Sequence, residues 1–213
     1  EPGLIGFYKF EKNLYDTSRY KHHAHNKTIN FVKGALGNAT KYSGNNDYVN
    51  CSNYSAFNEL NTLTIIAWIN NSGNNSAGHT LTGRYDDLVT KWDCKNNCTD
   101  SSFWFGINNE KKLEFIIIKP DKYKESIQGK TDIKDDKKIH QSAITYDSKK
   151  LRIYLDGELE NEKNYTQGMQ KNSSIPIIIG ASKHTIKGGF NGTIDEVKIF
   201  NYALTQKKKK NDY

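Results

Sequence analysis

Short apolar runs rich in β-branched and aromatic residues recur along the chain, separated every eight to fifteen residues by clusters of Gly, Asn, Asp and Ser. Period-two alternation and the near absence of helix signals predict an all-β protein, an antiparallel two-sheet jelly-roll sandwich. The pattern places strands at about Ile5–Phe10, Ala39–Ser43, Tyr48–Cys51, Leu63–Asn70, Leu88–Trp92, Phe103–Asn108, Lys112–Lys119, His140–Asp147, Lys150–Leu155, Glu158–Lys163, Ile175–Ala181 and Gly192–Tyr202. The firmest local prediction is the hairpin turn Asp156-Gly157, because both central residues of a type I′ turn need positive φ. On the strand after it, Glu158 and Glu160 share the face that is normally solvated, so a solvent-facing role is expected rather than acid catalysis.

At 213 residues the chain is long enough for a substantial core. Its longest apolar run, Phe115–Ile118, is far short of the roughly 18 to 20 residues that span a bilayer. The start at Glu1-Pro2 lacks a basic, then apolar, leader pattern, from which a secretion signal is expected to have been removed already.

Ten Asn-X-Ser/Thr sequons, at Asn26, Asn38, Asn50, Asn53, Asn70, Asn74, Asn97, Asn164, Asn172 and Asn191, predict a heavily N-glycosylated protein that is secreted or on the cell surface. Three cysteines are too few for a disulfide scaffold. Cys94 and Cys98 close a small loop, or Cys51 pins that loop to a distant segment; either pairing leaves one thiol over. The formal charge is +7, with much of the excess in the tail Lys207–Lys210, and no basic stripe interleaved with exposed aromatics supports nucleic-acid binding.

Several segments together resemble one family. Gly6-Phe-Tyr-Lys-Phe-Glu11 with Asp16-Thr-Ser, Gly34–Ala39 with Asp47-Tyr-Val49, Leu63–Trp68, Ile144–Asp147 leading to Leu151–Gly157, Ile178-Ile-Gly180 and Phe190–Leu204 are similar, in order, to the LamG-like (laminin G type 3) concanavalin A-like lectin/glucanase jelly-roll domains. The resemblance implies one domain over 1–205 followed by a basic tail, 206–213. It also implies a structural Ca²⁺ held by Glu11 or Asp16 together with Asp195, hard oxygen ligands clipping the first and last strands together. Two departures stand out: Ile139-His140-Gln141 replaces the family's Trp-X-His, and four lysines follow Thr205-Gln206.

No Glu-X-Asp-X-Glu strand, Gly-X-Ser-X-Gly elbow or His-Glu-X-X-His pair is present, so no enzyme is expected. His22, His23 and His25 cluster without an identifiable third donor, which predicts an exposed loop rather than a transition-metal site. Trp68 is expected in the core. Trp104 alternates with Phe103 and Phe105 and is expected to face the other way, making Arg84, Tyr85, Asp86, Asp87, Trp92 and Trp104 a candidate glycan-contact set. The expected function is a non-catalytic recognition or adhesion module binding carbohydrate or a protein partner. The alternative is a self-assembling structural subunit of a glycosylated filament, sheath or coat.

Overall fold

The computed structural model describes residues 1–26, 28–45, 47–72, 86–93, 98, 100–133, 138–171, 173–183 and 189–205. Arg84, Tyr85, Cys94, Asn74, Asn97, Asn172 and the tail 206–213 lie outside that set. Fourteen strands run in chain order: β1 (Leu4–Tyr8), β2 (Asn30–Lys33), β3 (Asn38–Ser43), β4 (Val49–Asn50), β5 (Leu63–Asn71), β6 (Asp86–Lys91), β7 (Phe103–Ile107), β8 (Leu113–Ile118), β9 (Lys124–Gln128), β10 (His140–Tyr146), β11 (Lys150–Leu155), β12 (Glu158–Asn164), β13 (Ile178–Ile179) and β14 (Asn191–Phe200). One 3₁₀ turn, Ser55–Phe57, interrupts them.

The strands form two antiparallel sheets. The larger has the order β12-β11-β10-β5-β14-β3-β2, with β1 also paired to β14, and the smaller has the order β4-β13-β6-β7-β8-β9. β14 pairs with β5 along one side. On its other side it pairs first with β3, through Asn191–Ile194, and then with β1, through Val197–Phe200. A bulge at Asp195–Glu196 falls where that partner changes, and Glu196 takes φ 48°, a left-handed conformation costly for a residue with a side chain.

The main core lies between the sheets. Leu63, Ile65, Ala67 and Ile69 of β5 meet Phe103 and Phe105 of β7, Phe115 and Ile117 of β8, and Ile144 and Tyr146 of β10 in one apolar cluster. Alternation sends Ile66 the other way, into a second cluster with Leu4, Ala143, Tyr154, Phe200 and Leu204. The segment after β14 covers part of that outer face, anchored where the Thr64 hydroxyl donates to the Tyr202 carbonyl (2.8 Å) and accepts from the Leu204 N–H (2.9 Å). Trp68 shares Ile66's face and is only half-buried, so it is not the core residue expected from the sequence. A fully apolar run shows that a strand is central but does not rank its two faces.

At one side of the sandwich the two edge strands are laced together. Asn161 Nδ2 donates to the Gln128 carbonyl (2.9 Å), Lys163 Nζ donates to the Ser126 carbonyl (3.2 Å), and Glu160 accepts from the N–H groups of Lys130 (2.7 Å) and Thr131 (2.8 Å). Side chains of β12 thereby saturate main-chain groups in and just beyond β9 that would otherwise template another strand. The expected turn at Asp156-Gly157 forms, with φ of 50° and 79°.

Candidate ligand-binding cleft

An open cleft of about 580 Å³ lies at one end of the sandwich. It is lined by Asn61, Pro120, Tyr146, Ser148 and the segment Thr166–Lys171, with Gln167 apart from the lining. Three turns and one excursion build it. Pro120 belongs to the turn joining β8 to β9, where the Lys119 N–H reaches the Tyr123 carbonyl (2.9 Å). Ser148 sits in the β10–β11 turn at φ 67°, held because Asp147 Oδ1 accepts from the N–H groups of Lys149 (2.9 Å) and Lys150 (2.7 Å). Asn61 lies two residues before β5.

The opposite wall is tied down at each end. The Tyr165 N–H reaches the Lys149 carbonyl (2.7 Å), and its hydroxyl donates to the Gly168 carbonyl (2.6 Å). Gly168 takes φ 83°, a left-handed conformation that glycine adopts without strain. Beyond it, Met169 is buried, the Gln170 N–H donates to the Ile118 carbonyl (2.7 Å), and the Gln170 carbonyl accepts from the Ser102 hydroxyl (2.7 Å).

Pro120, backed by the buried Tyr146 and Met169, is therefore bordered by amide, hydroxyl and ammonium groups from Asn61, Ser148, Thr166, Gln170 and Lys171. Lys171 is 4.0 Å from Glu59, and the Gln170 side-chain amide donates to the Lys171 carbonyl (3.0 Å). Tyr146 is fully buried, its ring 5.6 Å from that of Tyr165 and its hydroxyl beside the Gly168 main chain. Burial pushes both phenols' pKa above the ordinary tyrosine value. Among the described residues lining the cleft there is no carboxylate and no imidazole, the groups that acid–base chemistry on a glycosidic bond requires. A second, smaller cavity of about 290 Å³ is bordered by His25, Asn26, Thr28 and Tyr48.

The contact set expected from the sequence does not form an open platform. Trp104 does point away from Phe103 and Phe105, but it is only 3% exposed, and its indole N–H donates to Asp87 Oδ1. It lies over Gly106, where any side chain would collide with the ring. Asp86 is also buried and accepts from Asn71 Nδ2 (3.3 Å), while the half-buried Trp92 carries the Lys124 ammonium over its ring at 5.1 Å.

The carboxylates assigned to calcium by resemblance are engaged by the chain itself. Asp16 is buried and accepts four hydrogen bonds, from the N–H groups of Phe7, Ser18 and His22 and from the Ser18 hydroxyl, at 2.7 to 2.8 Å. Asp195 accepts from the N–H groups of Leu36 (3.0 Å) and Glu196 (2.8 Å), and Glu11 grips Asn38 through its N–H (3.2 Å) and side-chain amide (2.7 Å). The pair thus clamps the loop Gly34–Asn38 from two sides. Burial raises the Asp195 pKa, whereas the Asn38 hydrogen bonds lower that of Glu11. Among the described residues no group of three or more His, Cys, Asp or Glu side chains converges as a metal site, and this donor set does not fit the six or more free oxygens that Ca²⁺ takes.

The histidines also have separate partners. His22 Nδ1 lies 3.0 Å from the Ile5 carbonyl and its ring stacks on Tyr54 at 4.1 Å. His23 Nδ1 accepts from the Asp16 N–H (3.1 Å), and the His25 main chain bridges to Asn50. Cys51 is a buried free thiol, which removes the distant-pinning alternative. Of the described sequons, Asn53 and Asn164 are exposed, and Asn26, Asn38, Asn50, Asn70 and Asn191 are partly exposed.

The model of the concanavalin A-like lectin/glucanases superfamily, Laminin_G_3, matches residues 43–208. The chain belongs to this superfamily. The matched span omits β1, β2 and most of β3, although all three lie in the same sheet as β14. No curated protein matches the sequence.

Among solved structures, the binding domain of Paraclostridial Mosquitocidal Protein 1 aligns over 98% of this chain and 51% of its own, with TM-score 0.75 and 16% identity. The ligand-binding domain of botulinum neurotoxin serotype D, solved in complex with N-acetylneuraminic acid, aligns over 99% and 50%, with TM-score 0.74 and 18% identity. Domain 4 of AbnA, a GH43 extracellular arabinanase from Geobacillus stearothermophilus in complex with arabinotriose, aligns over 98% and 97%, with TM-score 0.71 and 16% identity. The chain spans about half the length of the toxin binding domains and nearly all of the arabinanase domain. Among the described residues no helix is long and apolar enough to cross a membrane.

Proposed function

We propose that the protein is a non-catalytic carbohydrate-binding module of a secreted or cell-surface glycoprotein, and that the Tyr146–Gln170 cleft holds the sugar. The observation that carries this reading is the lining. The cleft offers amide, hydroxyl and ammonium groups of Asn61, Ser148, Thr166, Gln170 and Lys171, which suit a sugar's hydroxyls, beside the apolar edge of Pro120, which suits its C–H face, while the buried Tyr146 and Met169 support the wall from behind. Two similarly folded domains were solved with sugars bound, which supports the ligand class.

The exposure of Asn164 supports glycan attachment there, and Cys94–Cys98 is the pairing left once Cys51 is free. A glycan array followed by calorimetry tests the reading, with Gln170→Ala and Lys171→Ala as cleft variants. Binding that disappears in these variants while their unfolding transition is unchanged is the expected result. Sugar binding that survives both variants places the site elsewhere, and no binding to any glycan overturns the module reading.

A further inference from the structure

Lys91 sits at the end of β6 with no exposed surface, and its ammonium meets three neutral oxygens: Asn53 Oδ1 at 2.8 Å, the Ser173 carbonyl at 3.1 Å and the Ile175 carbonyl. Asn53, 38 residues away in sequence, is exposed on its far side. From this juxtaposition we infer that Lys91 and Asn53 form an intramolecular isopeptide bond, joining β6 covalently to the loop after β4.

The geometry supplies what the reaction needs. An ammonium has three N–H bonds for three oxygens. After losing a proton the amine keeps two N–H bonds on the main-chain carbonyls of Ser173 and Ile175, leaving its lone pair toward the Asn53 carboxamide. Since a C=O bond is about 1.2 Å, Asn53 Cγ lies within about 4 Å of Nζ, and a rotation of the exposed Asn53 carboxamide closes the rest of the way to the roughly 3 to 3.5 Å of attack. Burial lowers the Lys91 pKa to about 8, against a smaller opposing pull from the Asp100 carboxylate, so roughly a tenth of the amine is neutral at pH 7.

Nζ attacks Cγ, and the carbonyl π pair moves onto Oδ1. When it returns, the Cγ–Nδ2 bond breaks and Nδ2 leaves as ammonia, taking the proton shed by Nζ through water on the exposed side of Asn53. One amide replaces another, with no oxidant and no cofactor.

The test uses the full chain produced in a host without N-glycosylation, so that Asn53 keeps its carboxamide. The intact mass after incubation at pH 8 to 9 is expected to fall short of the sequence mass by about 17 Da, one ammonia. Proteolysis should then release a branched peptide joining the segments around Lys91 and Asn53, absent from Asn53→Ala and Lys91→Arg. A full sequence mass overturns the inference without requiring any variant to fold. An ammonia loss that maps to Asn191-Gly192 overturns it equally, because a succinimide there gives the same mass change.

Discussion

Two aromatic neighbourhoods invite opposite readings. Around Trp104, on the outward face of the smaller sheet, a large ring is buried and its one polar atom is bonded to Asp87. Around Tyr146, at the sandwich end, the ring is just as buried, but the groups next to it border an open cleft. The first is an aromatic whose recognition capacity is spent inside the fold. The second is a scaffold ring whose neighbours face outward. A candidate site is therefore marked by polar groups that border an open cleft, not by tryptophan content.

Alkali gives the widest separation between the two neighbourhoods. Tyr146 and Tyr165 at the cleft, with Tyr8 and Tyr42 in the core, have phenol pKa values raised chiefly by burial, and the Cys51 thiol is pushed up to about 12. Raised folded values mean stability that is complete below the unfolded pKa and lost as pH climbs toward the folded one. Urea midpoints should thus fall from about pH 9, where Cys51 begins to matter, and more steeply from about pH 10, at about 1.4 kcal/mol per unit for each such group. Cys51→Ala should postpone the onset to the tyrosine range. In the opposite sense, Lys91 has a lowered folded pKa if it remains an amine, so its contribution rises with pH from about 8.

Next in size is Trp104→Ala, expected to cost about 3 to 5 kcal/mol in urea unfolding, whereas Gln170→Ala should stay within about 0.5 kcal/mol and lose sugar binding instead. Equal costs would erase the distinction between the two sites. Tyr146→Phe removes a buried hydroxyl that meets the Gly168 main chain, so stability should fall by about 0.5 to 1.5 kcal/mol; an unchanged midpoint would mean that this contact does not tie the cleft wall down. The smallest effect is expected away from both regions: millimolar Ca²⁺ should move the thermal midpoint by less than about 1 °C, because Glu11 and Asp195 are already occupied by the Gly34–Asn38 loop. A rise of several degrees would mean that the ion displaces Asn38.

The sandwich was legible because its central strands announce themselves. Leu63–Asn71, Phe103–Ile107 and His140–Tyr146 are apolar enough that no other element suits them. Asn30–Lys33 and Lys124–Gln128 escaped notice since edge strands carry polar side chains and need only one neighbour. Around Ile178–Ile179 the expected strand is shortened to two residues, although Ile175 and Ile177 are buried beside it without extending the strand. The cleft gave little warning. Its wall, Thr166–Lys171, is a polar stretch around one glycine, and only the long-range bonds to Ile118, Ser102 and Lys149 make it a wall. Trp104 was placed on the correct face, yet alternation carries no information about what lies above a face.

The central position of β14 dictates the order of assembly. Strands β1, β3 and β5 all wait for Asn191–Phe200, which follows every other described strand in the chain. Until it arrives, a nascent chain carries β5 with one open flank and β1 with no strand to pair with, so the larger sheet closes only after its last described strand has been made, and its long-range pairings make that closure the slow step.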